Sequence, residues 1–166
     1  ITFDFQFFRM KYIFLLYFLN PIFVVSQNDF AKAEKLYQQG QISQAKIIFE
    51  AILKDNPNHL KVIEYLGDIE GNAQNWDSTI FYYKKLKELN PKEADYHYKF
   101  GGALGMKAKE SNKIKALSMI GEVKSSFEKA IQLNSKHIGA RWALIELYLQ
   151  LPAIIGGSET KAIQYS

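Results

Sequence analysis

Apolar residues recur at three- and four-residue steps along most of the chain, and Pro or Gly stands between the periodic stretches. In residues 42 to 54, Ala45, Ile48, Phe49, Ile52 and Leu53 form a one-sided stripe, the spacing of a helix with one face turned to a core. Asn56 precedes Pro57, and proline disfavours helical geometry in the residue before it, so the helix is predicted to end there. The succession then returns. Asp55-Asn56-Pro57-Asn58 is echoed by Leu89-Asn90-Pro91-Lys92, which places Pro57 and Pro91 34 residues apart. Tyr65-Leu66-Gly67, Trp76, Thr79, Tyr83 and Leu86 lie between them, Gly40, Ala45 and Phe49 hold the same register upstream, and Phe100-Gly101, Phe127, Ala130 and Asn134 continue it downstream. A fixed period of this length marks stacked helical hairpins, each unable to bury both its faces alone.

This register resembles the tetratricopeptide repeat, a 34-residue helix-turn-helix unit, over residues 28–166. The resemblance implies an all-α fold, a right-handed α-solenoid of stacked antiparallel helix pairs. Its units are expected at about 27–59, 60–93 and 94–137, with a partial one at 138–166. Gly67 and Gly101 fall where neighbouring helices must approach closely, so a larger residue there is expected to push a hairpin apart. Two departures stand out. From Asn90 to Asn134 is 44 residues, ten more than the period, which extends the third unit around Lys107 to Leu117. Because Ile114, Leu117, Ile120, Val123, Phe127, Ala130 and Ile131 stay mostly three or four apart, the insertion is expected to lengthen the second helix of that unit. The other departure, Leu151-Pro152-Ala153-Ile154-Ile155-Gly156-Gly157-Ser158, is expected to form a turn; its Gly pair could alternatively serve as an amide nest for an anion.

Residues 1–26 follow a different rule. Arg9, Met10 and Lys11 give a basic start, Tyr12 to Val25 is an apolar run interrupted only by Asn20 and Pro21, and Ser26 follows. That order describes a secretory signal peptide with cleavage near Ser26. An uncleaved membrane anchor is the alternative, although a spanning helix needs about 20 apolar residues. The expected product is exported, periplasmic or secreted.

Charge and composition narrow the chemistry. There is no cysteine, which removes disulfides, thiolate metal sites and cysteine nucleophiles. The net charge of +4 is spread along the chain, and among 21 basic residues only Arg9 and Arg141 are arginine. Nucleic-acid readers tend to cluster arginine on one face, so a nucleic-acid partner is not expected. His59, His97 and His137 are scattered and no two histidines lie four apart, so no metal is expected. His59 and His137 occupy equivalent inter-repeat turns, where they are expected to be exposed or to cap a helix. Neither a nucleophile elbow nor a phosphate-binding loop is present, and the expectation is a non-enzymatic protein without a cofactor.

In the repeat family the first helix of each hairpin lines the concave surface. Carried onto this chain, the resemblance makes that lining Phe30, Glu34, Tyr37 and Gln38; Lys61, Glu64, Asp68 and Asn72; Asp95, Tyr98 and Met106; and Trp142, Glu146 and Leu149, with Gly102 and Gly105 leaving room. Aromatic anchors among carboxylates suit a protein or peptide partner carrying basic residues. They oppose a partner's C-terminal carboxylate, the ligand of one specialised branch of the family. The alternative for Phe30, Tyr98 and Trp142 is packing between hairpins. The expected function is a scaffold or adaptor binding a protein partner on its concave face, in envelope complex assembly. A second possibility is a peripheral binder of anionic lipid or polymer through Lys107 to Lys115. On this reading, reversing Glu64 and Asp68 to Lys leaves the fold intact and abolishes partner capture.

Overall fold

The computed structural model describes residues 27–166; the proposed signal segment lies outside them. We number the helices α1 (Gln27–Gln38), α2 (Ile42–Asp55), α3 (Leu60–Asn72), α4 (Trp76–Leu89), α5 (Ala94–Glu110), α6 (Lys113–Leu133), α7 (Ile138–Gln150) and α8 (Glu159–Tyr165), with a 3-10 turn at Ala153–Ile155. No strand occurs among the described residues. Successive helices pair as antiparallel hairpins, each packed on the next, giving an α-solenoid. Its core is continuous. Ala33, Ala45, Phe49, Val62 and Leu66 bury the first half, Ile63, Leu86, Phe100, Val123, Ala130 and Leu144 the second, and Leu53 and Tyr82 pack against both.

Local chemistry sets the helix ends. Asn56, Asn90 and Asn134 follow α2, α4 and α6, and the N–H of each donates to the carbonyl four residues back. His59 and His137 both cap: Nδ1 of His59 accepts from the Val62 N–H at 3.3 Å, and Nδ1 of His137 accepts from the Ala140 N–H at 3.1 Å. His137 is buried. Its Nε2 lies 2.9 Å from Asp95 Oδ1, but the ring N–H is not aligned with that oxygen, so the contact is electrostatic proximity rather than a directed hydrogen bond. Replacing His137 with Ala is expected to cost about 1 kcal/mol, the ordinary worth of an N-cap. His137→Asn, which restores an acceptor, should recover most of that loss in urea denaturation.

The third hairpin differs from the expectation of one lengthened helix. Its ten extra residues are shared: α5 has 17 residues against 13 in α3, α6 has 21 against 14 in α4, and the turn between them is one residue shorter. The break falls at Ser111-Asn112, where the Asn112 side chain accepts from the Lys115 N–H and caps α6. A capping residue inside a periodic run starts a new helix, which apolar spacing alone does not reveal. The added turn of α5 reaches back to the second hairpin. Trp76 Nε1 donates to Glu110 Oε1 at 2.5 Å, and Lys107 Nζ pairs with Asp77 Oδ2 at 2.6 Å. Lys107 to Lys115 is therefore no single basic face, since Lys107 is engaged and the remainder straddles a turn.

Between α7 and α8 the Gly-Gly element is a closed turn. The amides of Gly156, Gly157 and Ser158 donate to the carbonyls of Ala153, Pro152 and Tyr148, so none of the three is free for an anion and the amide-nest alternative fails. Gly156 sits at φ 103°, a left-handed conformation that glycine alone adopts without strain. Ser158 then caps α8.

Candidate functional site

The first helices of the hairpins, α1, α3, α5 and α7, communicate through one repeated register. Tyr65, Lys99 and Ala143 are equivalent, and they face the equivalent positions Glu34, Asp68 and Gly102 on the preceding first helix. At the first joint Tyr65 donates to Glu34 Oε1 at 2.7 Å and its ring meets Tyr37 at 4.9 Å between centroids. Burial and the Glu34 carboxylate push the Tyr65 hydroxyl up to about 12.

At the second joint Lys99 Nζ donates to Glu64 Oε1 at 2.9 Å and to Asp68 Oδ1 at 2.8 Å. Lys61 holds the other Glu64 oxygen at 2.9 Å, and Tyr83 of α4 donates to Asp68 Oδ1 at 2.6 Å. Burial alone would raise the Glu64 carboxyl, but hydrogen bonds from Lys99 and Lys61 outweigh it and hold the group below its ordinary value. Burial likewise opposes the charge on Lys99, and the two carboxylates overcome it, leaving the ammonium above its ordinary range. Burial and the bond to Asp68 raise the Tyr83 hydroxyl strongly. This joint is a satisfied ion cluster. A cavity of about 330 Å³ beside it is lined by Tyr37, Asp68, Asn72, Trp76 and Lys99, among others.

The third joint has no such filling. Ala143 and Gly102 cannot bridge the gap, and a cavity of about 500 Å³ opens there between the extended α5–α6 hairpin and α7. Its walls are mostly apolar: Gly105, Ala116, Ile120, Val123, Phe127 and Leu147. Met106, Lys109, Glu146 and Gln150 are the exposed members of the lining and mark its mouth.

The expected lining residues therefore separate into groups. Phe30 stacks on His59 at 5.2 Å and lies 6.1 Å from the Phe49 ring, and Tyr98 packs on His137 and Phe127; both are packing aromatics, although Tyr98 also borders the two cavities. Trp142 is 62% exposed. Glu34, Glu64 and Asp68 are engaged within the chain, whereas Glu146 makes no hydrogen bond or ion pair among the described residues and stands at the cavity mouth. Tyr37 and Asn72 share the smaller cavity. The expectation of two open carboxylates at Glu64 and Asp68 is corrected by Lys99, a residue absent from the expected lining. Its signal is present in the sequence: Lys99 lies one period beyond Tyr65 and so faces the α3 carboxylates. Among the described residues no group of three or more His, Asp or Glu could hold a metal ion, and no helix is long and apolar enough to cross a membrane.

No protein-family profile and no curated protein matches the sequence. Solved structures do. TTC0263, a tetratricopeptide-repeat protein of Thermus thermophilus, superposes with a TM-score of 0.65 at 18% identity, covering 84% of this chain and 70% of that one. MamA from Desulfovibrio magneticus RS-1 gives 0.64 at 15% identity, covering 82% and 69%. The first repeat domain of Spaghetti (RPAP3), bound to the HSP90 peptide SRMEEVD, gives 0.58 at 15% identity, covering 70% and 85%. These likenesses, with the 34-residue register and the paired helices, establish that the chain has the tetratricopeptide-repeat fold.

Proposed function

We propose that the protein is a non-enzymatic tetratricopeptide-repeat scaffold that holds a protein or peptide partner along its concave face, after export, in the assembly of an envelope complex. One observation carries the reading: side chains of α1, α3, α5 and α7 border two adjoining cavities, of about 330 and 500 Å³, on one side of the solenoid. Cavities of this size with a few polar groups at the edge are the usual form of a ligand site. The fold shared with a repeat domain bound to a peptide supports the same use of this face. Export rests on the basic start and the apolar run before Ser26. The lipid-binding alternative is disfavoured by the engagement of Lys107 with Asp77.

The outer helices also expose apolar residues, Ile47 at 68% and Phe81 at 62%, so the two sides of the solenoid can be tested against each other. A photo-crosslinking amino acid placed at Tyr37 or Trp142 is expected to capture a partner in envelope preparations, and the same group at Ile47 or Phe81 is expected to capture none. Capture from the outer positions alone would place the interface on the opposite side.

A further inference from the structure

The third joint is open for a reason visible in its residues. At the first two joints a long polar side chain from each first helix fills the gap to the preceding one, Tyr65 to Glu34 and Lys99 to Asp68. At the third, the equivalents are Ala143 and Gly102, and a second glycine, Gly105, follows one turn later. A Cβ on Gly102 would meet nothing within 4 Å, and one on Gly105 would meet only Val123 Cγ1 at an ordinary 3.8 Å. Neither glycine is there to admit a neighbouring helix, unlike Gly101, whose Cβ would lie 2.9 Å from Ser126 Cβ. Glycine inside a helix is unfavourable relative to alanine, so α5 carries a local weakness that close packing does not explain. What the two glycines and Ala143 do accomplish is to leave the cavity open. The extension of α5 and α6 then supplies its far wall through Ala116 and Ile120.

The mouth carries both signs of charge. Glu146 and Lys109 are exposed and unengaged among the described residues, while the carboxylates of the preceding joint are neutralised within the chain. Resting on the scaffold reading above, we infer that this cavity is the anchor pocket of the partner site. It takes one large apolar side chain, of leucine or phenylalanine size, from a partner segment that carries a basic residue for Glu146 and an acidic residue for Lys109. The apolar walls supply the burial and the paired rim fixes the direction of the bound segment. The acidic cluster at Glu64 and Asp68 is then a structural clasp beside the site.

The test is a random dodecapeptide phage library panned on the full chain, followed by fluorescence anisotropy with the enriched peptide. The expected consensus is a Leu, Phe or Trp with a Lys or Arg and an Asp or Glu within four residues of it. Gly105→Leu, which fills the cavity and improves helix propensity, is expected to weaken binding at least about tenfold, the scale of burying one apolar side chain. Glu146→Lys, an exposed change with no folding consequence, is expected to weaken binding several-fold, and exchanging the peptide's basic residue for Glu should restore it. Peptides that bind wild type and Gly105→Leu equally, yet lose affinity on Tyr37→Ala, would overturn the pocket and leave the concave-face reading standing. Absence of any enriched peptide, or saturable binding of decanoate without peptide binding, would overturn the peptide-anchor assignment.

Discussion

The double charge reversal Glu64→Lys with Asp68→Lys is expected to destabilise the middle of the solenoid rather than to act cleanly on a binding surface. Both carboxylates hold Lys99, whose side chain is only 24% exposed, and with Lys61 already beside Glu64 the substitution would gather four ammonium groups around one ion cluster. Breaking a fully buried pair costs about 3–5 kcal/mol, and the partial exposure of this cluster puts the double reversal near about 3 kcal/mol. For a domain of about 140 residues that corresponds to a fall in Tm of roughly 10 °C. A neutral triple, Glu64→Gln with Asp68→Asn and Lys99→Gln, removes the three half-buried charges together and should melt within about 3 °C of wild type, because the one charge left without its partner, Lys61, is 67% exposed to solvent. The acid limb gives an independent reading. Glu64 is held below its ordinary value of 4.5, so its contribution is fully present above that pH and is lost as pH falls through the lowered folded value. Wild type should therefore lose stability more steeply below pH 4.5 than the neutral triple, measured by circular dichroism melts across pH. Equal melting of wild type and the double reversal would mean that Lys99 does not depend on these carboxylates.

Glu64 and Asp68 also mark where the sequence stops being legible. Repeat register, helix ends and close-approach glycines all follow from local or periodic rules, which is why the sequence alone assigns Pro57, Pro91, Gly67 and Gly101 their places. The state of Glu64 and Asp68 depends on a side chain 31 to 35 residues away. Helical spacing within α3 puts the carboxylates on one face and the repeat period places Lys99 one unit beyond Tyr65, but neither shows that Lys99 closes on both carboxylates. The aromatics divide for the same reason: nothing in their spacing distinguishes Phe30, covered by His59 and Phe49, from Trp142, which stands in solvent. The open third joint is a property of three small residues, Gly102, Gly105 and Ala143, whose significance lies in what is missing between helices. A one-dimensional pattern records residues and periods; a void becomes visible only once the extended hairpin has been set beside α7.

Gly67→Val is expected to destabilise the packing of α3 on α4 strongly. A Cβ on Gly67 would lie 2.8 Å from Tyr83 Cδ1, closer still to Cε1, and 3.3 Å from Tyr82 Cβ. The Tyr83 ring cannot retreat easily, because it is 7% exposed and its hydroxyl is tied to Asp68 at 2.6 Å. Asp68 is in turn held by Lys99. Accommodating valine therefore requires either separation of α3 from α4 or rupture of the hydrogen bond and displacement of the ring, and β-branching adds crowding against the preceding turn. Overpacking of a well-filled core ordinarily costs about 1–3 kcal/mol, and the anchored ring places this site at the upper end, about 3 kcal/mol. The control is Gly102→Ala in α5, where the new methyl meets nothing within 4 Å. There the gain in helix propensity stands alone, up to about 1 kcal/mol. Two glycines in first helices of adjacent hairpins are thus expected to respond in opposite directions in urea denaturation, Gly67 through a collision and Gly102 through relief of backbone entropy. If Gly67→Val and Gly102→Ala shifted the midpoint equally, close approach at Gly67 would not be what sets the spacing of α3 and α4. Because the same Tyr83 ring both abuts Gly67 and holds Asp68, the valine should also loosen the ion cluster, and adding it to the neutral triple should then cost less than it does in wild type, a coupling that a double-mutant cycle measures directly.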